Sequence, residues 1–349
     1  MMKITKRGWI EIAACFGAFA VIAVIAAFYD LEINKALYGP DCPYAQFFAN
    51  LGEMPSYFAP PVIGAILFFQ KFGKSRKLDI AVKVVGAGTV FIGYTVAIGV
   101  WFIDNLFRED LQYKWMYAVF FAAIMTVLTL TAFSKIPDKV MKKLFWFALF
   151  LLIVAALGNV IVQIMKVIWS RQRFRTMTPG NPSYPEALTA IYPGYNYDGF
   201  TPWYIPTAIV DQPIRTEEYV NLFKNVDSDA FKSFPSGHTA AASASFGLVI
   251  LPDLFPEFRK RSWMFWVFPA IYTGLVGISR IVAAAHYLSD TLFGFYAGFT
   301  VAALARWIMV SKVKFYKPEE NTEYLISPPQ GIVVLEDRPI AEEAESAAE

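Results

Sequence analysis

The feature that most constrains this chain is a series of long apolar runs. A bilayer's hydrocarbon core is crossed by about 20 mostly apolar residues in helical form. Eight stretches approach or meet that length: Trp9–Tyr29, Met54–Phe69, Ala81–Ile103, Trp115–Phe133, Leu144–Ile168, Thr239–Leu254, Trp263–Ile278 and Tyr287–Val310. The second is short and carries Pro60-Pro61, so it reads either as a span or as a re-entrant segment. The composition agrees with a membrane class. Charged residues make up 17% of the chain, where a soluble domain carries roughly a quarter, and mean hydropathy is +0.42. The expected fold is all-α, a polytopic bundle of about eight transmembrane helices. Lys3, Lys6 and Arg7 precede the first run as in a signal peptide, but the run exceeds the 7–15 apolar residues of such peptides and no clear cleavage site follows. It reads as the first membrane helix.

Loop charges set the orientation. With the N-terminus in the cytoplasm, eleven basic residues fall in three inner loops: Lys71, Lys74, Arg76 and Lys77; Lys135, Lys139, Lys142 and Lys143; Arg259, Lys260 and Arg261. Two short outer loops hold only Lys35, Arg108 and Lys114. Lys312, Lys314 and Lys317 follow the last span on the inner side. The positive-inside rule favours this arrangement, and removing the second segment would invert every later loop. Both termini are thus expected in the cytoplasm of a plasma or inner membrane. A polar stretch rich in Pro, Gly and Tyr, about residues 169–235, falls on the outer side. Its Tyr184, Tyr192, Tyr195, Tyr197, Phe200, Trp203 and Tyr204 suit either the membrane interface or a substrate entrance. Residues 317–349 are acidic and read as a disordered cytoplasmic tail. The net charge of +2 gives no reason to expect a nucleic-acid partner. Cys15 and Cys42 form no disulfide framework, and no Cys/His cluster points to zinc or another metal.

Chemistry-bearing residues gather in three blocks. Lys166 and Arg173 are about two helical turns apart, and Arg171 and Arg175 add charge around them. The cluster reads either as an ordinary basic flank of a span or as an anion site; the first reading is weakened on the outer side, where basic flanks are disfavoured. Phe234-Pro235-Ser236-Gly237-His238-Thr239 shapes a turn that opens a helix, whose free N–H groups favour an anion. Ser236 could add a hydroxyl or serve only as the N-cap; neither role explains His238. The third block is Ser279-Arg280, then His286, then Asp290. His286 and Asp290 are four apart and would share a face on a helix. A carboxylate beside an imidazole fixes its tautomer and supports its positive charge, leaving the other nitrogen free to attack. Arg280 is placed to contact phosphate oxygens. His238 and His286 are the chain's two histidines, and both fall at the outer ends of expected spans.

These blocks resemble the tripartite signature of the type 2 phosphatidic acid phosphatase superfamily: Lys-x6-Arg-Pro, Pro-Ser-Gly-His and Ser-Arg-x5-His-x3-Asp. The second and third parts match in full. In the first, Phe174 stands where the family usually has proline. The resemblance runs from Lys166 to about Val310 and implies a six-helix core with its active site at the outer helix ends, within a membrane-embedded phosphatase domain over residues 1–316. It implies a metal-independent, cofactor-free reaction on a lipid-like phosphate or diphosphate. His286 would be the nucleophile oriented by Asp290, and His238 the acid and then the base. Lys166, Arg173, Ser236, Gly237 and Arg280 would hold the phosphate. Two other readings share these residues: a haloperoxidase-like relative, typically soluble, and a lipid transporter or scaffold that keeps the motif without catalysis.

Overall fold

A computed structural model describes residues 6–72, 75–103 and 112–312. Lys3, Lys74, Arg108, Lys314, Lys317 and the acidic tail lie outside the described residues. The described chain is helical, with no strand. Its main helices are α1 (Lys6–Leu37), α2 (Pro43–Leu51), α3 (Met54–Phe68), α4 (Arg76–Val96), α5 (Lys114–Phe133), α6 (Asp138–Trp169), α7 (Glu217–Val226), α8 (Gly237–Ser243), α9 (Met264–Val282) and α10 (Leu288–Lys312). A π-helical stretch, Ala97–Ile103, continues α4.

Among the described residues, six helical segments are long and apolar enough to cross a membrane. They correspond to six of the eight expected spans, so the count of eight is not reproduced by length and composition. The remaining two differ for local reasons. The helix α3 has 15 residues and carries Pro60 and Pro61 inside it. The expected span Thr239–Leu254 is not one α-helix: α8 passes into a 3-10 segment, Ala244–Ile250, and then a single turn, Leu251–Leu254. A 3-10 segment rises about 2.0 Å per residue against 1.5 Å for an α-helix, so this broken rod still reaches about 30 Å.

The core joins α3, α6, the 3-10 segment and α10 through Ile66, Phe150, Val154, Phe246, Ile250 and Ala302. The outward faces remain apolar. Phe28 of α1, Val84 of α4 and Val127 of α5 are exposed, as lipid-facing side chains are. Helices in lipid associate by close packing where small residues let backbones approach. Gly294 and Gly298 on α10 do this for α8. A Cβ at Gly294 would stand 2.6 Å from the Ser236 carbonyl oxygen, and one at Gly298 would overlap Ser243.

The segment between α6 and α8 is folded. Leu188, Tyr219, Phe223, Ala230 and Phe231 form a separate small core within it. Thr216 caps α7 by accepting a bond from the Tyr219 N–H at 3.2 Å. This segment sits at the same end of the bundle as both histidines, and its main chain is bonded into the signature blocks.

Candidate active site

His286 lies in a loop, two residues ahead of α10, rather than on the helix expected from its spacing to Asp290. The loop is turned back on α9: the N–H groups of Ala285 and His286 both bond the Arg280 carbonyl, at 3.1 and 3.2 Å, and Ala284 takes a left-handed conformation with φ 57°. The structure nevertheless brings the pair together, with His286 Nδ1 3.6 Å from Asp290 Oδ2. The nearer partner of Nδ1 is the Ser233 carbonyl oxygen, at 2.6 Å. A carbonyl can only accept, so Nδ1 carries the proton and the Nε2 lone pair is left free. Asp290 Oδ2 accepts from Ser233 Oγ at 2.5 Å and from the Tyr287 N–H at 2.9 Å. The latter is a capping bond, in which an acid in the first turn reaches back to the residue before the helix. Ser233 thus touches both members of the pair. Burial lowers the His286 pKa well below its ordinary 6.5, and the cations Arg173, Lys166 and Arg280 lower it further.

His238 stands at the start of α8. Ser236 is the N-cap, its Oγ accepting from the Thr239 N–H at 3.3 Å and from the Thr239 hydroxyl at 2.9 Å. Its own N–H bonds the Asp290 carbonyl at 2.9 Å, which fixes the second block against the third. The carboxylate of Glu53, at the start of α3, lies 3.3 Å from His238 Nδ1. Burial raises the Glu53 pKa, while Arg280 and Lys166 oppose the rise.

The cations converge without a continuous helix. The helix α6 ends at Trp169, and Ser170 turns the chain with φ 41° while its N–H bonds the Lys166 carbonyl at 3.0 Å. Lys166 therefore projects from the last helical turn, and its ammonium lies 3.1 Å from where a Cβ at Gly237 would be. Arg173 is buried, extended in backbone, and donates from Nε to the Asp229 carbonyl at 3.0 Å. Its φ of −77° and ψ of 142° are those imposed on a residue preceding proline, although Phe174 follows. The Phe174 ring is buried and stacks on Tyr197 at 5.6 Å, so aromatic packing stabilises the turn that proline's ring would have restricted. Arg280 is also buried, and its Nε and Nη1 have no hydrogen-bond partner. An unpartnered buried guanidinium is costly unless a ligand satisfies it.

Arg171 and Arg175, grouped with these cations by sequence, are committed elsewhere. Arg175 pairs with Asp227 at 2.6 Å. Arg171 is fully buried between two acids, Asp30 at 3.0 Å and Asp290 at 2.7 Å. It also donates to Ser289 Oγ at 2.7 Å and to the Thr201 carbonyl at 2.8 Å. Asp30 accepts from the Ser289 N–H at 3.0 Å and from the Ser289 hydroxyl. One turn later on α1, Asn34 donates to the His286 carbonyl at 3.0 Å.

Residues 146–314 match the family model described as the PAP2 superfamily. The match spans just under half of the chain, which over this segment is similar to that superfamily. The PAP2 segment contains all eight site residues expected from the sequence, and the structure gathers them at one end of the bundle. Two curated relatives are similar over shorter stretches. A lipid A 1-phosphatase from Porphyromonas gingivalis is 40% identical over 82 residues, 24% of this chain and 17% of that protein. A phosphatidylglycerophosphatase B from Bacillus subtilis is 32% identical over 76 residues, 21% of this chain and 37% of that protein. The matched stretch is therefore well under half of either relative's length. No solved structure matches significantly.

Asp30, Glu53 and Ser233 are among the site residues that the sequence did not single out. Asp30 and Glu53 precede the PAP2 segment and reach it only through tertiary packing. An acid at the edge of a membrane run was a usable signal for both, since such groups are costly unless paired. Ser233 carried no such signal, because its decisive contact with His286 is made by its backbone carbonyl.

Proposed function

We propose that this protein is an integral-membrane phosphatase that hydrolyses a lipid phosphate or an isoprenoid diphosphate through a phosphohistidine at His286, without a metal ion. The observation that carries this reading is a buried Arg280 whose Nε and Nη1 have no hydrogen-bond partner, in the same site as a histidine whose Nε2 lone pair is free. A phosphoryl group seated there satisfies the guanidinium and presents phosphorus to Nε2.

The reaction then proceeds in two steps. Nε2 of His286 bonds to phosphorus as the P–O bond to the leaving group breaks (the ester bond of a lipid phosphate, the terminal P–O–P bond of a diphosphate), and His238 gives its proton to the departing alkoxide or lipid-monophosphate oxygen. His238 next takes a proton from water, whose oxygen bonds to phosphorus as the P–N bond breaks, releasing inorganic phosphate. A single imidazole suits this alternation near neutral pH. Phosphoryl transfer depends mainly on positioning and on stabilising the equatorial oxygens, for which Lys166, Arg173 and Arg280 supply charge and Gly237 a backbone N–H. Asp290 supports the positive charge on phosphorylated His286.

The lipid substrate class is supported by relatives named lipid A 1-phosphatase and phosphatidylglycerophosphatase B. The distribution of loop charges supports cytoplasmic termini and a site on the non-cytoplasmic face. A panel of phosphatidic acid, phosphatidylglycerol phosphate and undecaprenyl diphosphate, read by phosphate release in detergent, tests the reading. Hydrolysis of a panel member is expected, with inhibition by vanadate and insensitivity to chelators. His286→Ala is expected to abolish it and to abolish labelling of the protein by 32P-substrate. A His286→Ala variant that keeps full activity, or activity lost in chelator and restored by magnesium, would overturn it.

A further inference from the structure

We propose that Asp30 of α1 is a positioning residue for the His286–Asp290 pair, an inference that rests on the phosphohistidine reading above. It acts by sharing the Arg171 guanidinium, so that Asp290 keeps enough negative charge to support cationic His286.

The case begins with cost. A carboxylate inside a membrane helix is unfavourable unless paired, and such groups are functional by default. Asp30 is 1% exposed and its partner Arg171 is 0% exposed in the side chain. If helix association were the whole purpose, one acid would neutralise one arginine. Here a single guanidinium faces two acids, through Nη2 to Asp30 and through Nη1 to Asp290. Ser289 bridges them, accepting from Arg171 Nη1 and donating to Asp30. With both acids ionised, the formal charge of the three groups is −1 rather than zero. That residual charge lies beside His286, whose other charged neighbours Arg173, Lys166 and Arg280 are positive. Phosphorylation at Nε2 with Nδ1 still protonated makes the ring cationic. Without Asp30, Arg171 would pair with Asp290 alone, and the group facing the ring would carry no net negative charge to offset the three cations.

The same helix face also fixes the loop mechanically. Asn34 holds the His286 carbonyl, and Asp30 holds the Ser289 N–H one residue before Asp290. Helix α1 lies outside the PAP2 segment, so this contribution comes from a part of the chain the family match does not include.

The experiment compares full-length wild type, Asp30→Asn, Ser289→Ala and His286→Ala in detergent, with phosphatidic acid or whichever panel lipid is hydrolysed. It measures kcat, KM, the single-turnover rate of phosphoenzyme formation and the melting temperature. For folded Asp30→Asn the expected result is a drop of about tenfold or more in kcat and in phosphoenzyme formation, the scale of one lost charge-assisted interaction, with KM close to wild type. Ser289→Ala leaves every charge in place but removes the hydroxyl's bonds to Arg171 and Asp30, and is expected to lower kcat by about tenfold, the scale of one hydrogen bond to a charged group. If Asp30→Asn does not fold, Ser289→Ala carries the test, and a wild-type kcat in that variant overturns the proposal. Unchanged kcat in folded Asp30→Asn overturns it, as does a joint fall of kcat, KM and melting temperature, which is the mark of a purely structural role. Equal rates for wild type and His286→Ala would instead remove the phosphohistidine reading on which the proposal stands.

Discussion

The Nδ1 of His286 lies 2.6 Å from the carbonyl oxygen of Ser233, a full ångström nearer than the Asp290 carboxylate at 3.6 Å. The tautomer of the nucleophile is therefore set by backbone, while the acid acts from a second position through the Ser233 hydroxyl. Ser233→Ala keeps the carbonyl and removes only the bond to Asp290. It is expected to lower kcat by about tenfold, as for a hydrogen bond to a charged group, whereas Asp290→Ala costs more. Steady-state kinetics of both variants check the order; equal losses would mean that the hydroxyl is the whole connection.

The depressed pKa of His286 has a consequence for stability. The unfolded chain takes up this proton near pH 6.5, while the native state resists it because the ring is buried among Arg173, Lys166 and Arg280. Unfolded protein then binds more protons below pH 6.5, so native stability falls as pH drops through that value. Melting temperatures between pH 7.5 and 5.5 are expected to decline, and less steeply in His286→Gln. An identical slope in the two proteins would count against a buried neutral imidazole.

Glu53 is the group nearest His238 Nδ1, at 3.3 Å. A carboxylate there orients the ring and favours its charged form. Glu53→Gln keeps the shape and removes the charge, and kcat is expected to fall about tenfold with little change in KM. In phosphoenzyme formation, where His238 must start protonated, the alkaline limb of the pH–rate profile should also move to lower pH, since the protonated imidazole loses a stabilising neighbour. An unmoved profile would assign Glu53 to packing.

Phe174 replaces a proline by supplying packing in place of ring constraint. Phe174→Ala is expected to destabilise the protein by about 3 kcal/mol, the usual cost of emptying a buried phenylalanine site. Phe174→Pro suits the backbone already adopted by Arg173 and is expected to lose packing while keeping more activity than Phe174→Ala. Thermal unfolding and phosphate release on the three proteins decide this.

Gly298 lies where α10 meets α8 with no room for a side chain. Gly298→Val is expected to destabilise by about 3 kcal/mol or more through overpacking and to disturb His238 along with α8. A variant with unchanged melting temperature and activity would show that the two helices can separate freely.

Much of this arrangement was legible because it is local. Apolar runs located the long helices, and short spacings tied Arg280 to His286 and Asp290. The break at 244–250 was hidden because Ala244–Ile250 is as apolar as an α-helical span and differs only in hydrogen-bond pattern. Asp30 was hidden by a boundary: the apolar run stops at Tyr29, but α1 continues to Leu37 and carries Asp30 and Asn34 into the site. Lys166 and Arg173 were expected on one helical face, yet Ser170 ends the helix between them and the loop brings Arg173 back. For Asp30 the missing information was a contact between residues far apart in the chain; for the 3-10 segment and the Ser170 turn it was a local change of backbone bonding, and periodicity encodes neither.

Ser233 bonds main chain to Arg171, Arg173 to Ala230, Arg175 to Ala284 and Ser236 to Asp290, all within 3.0 Å. The three signature blocks are thus stitched to one another by peptide groups, which every substitution other than proline retains. Exchanging a side chain at one block leaves the seams between the blocks closed. The relative placement of the blocks accordingly does not hang on the side chain at any one of these bonded positions.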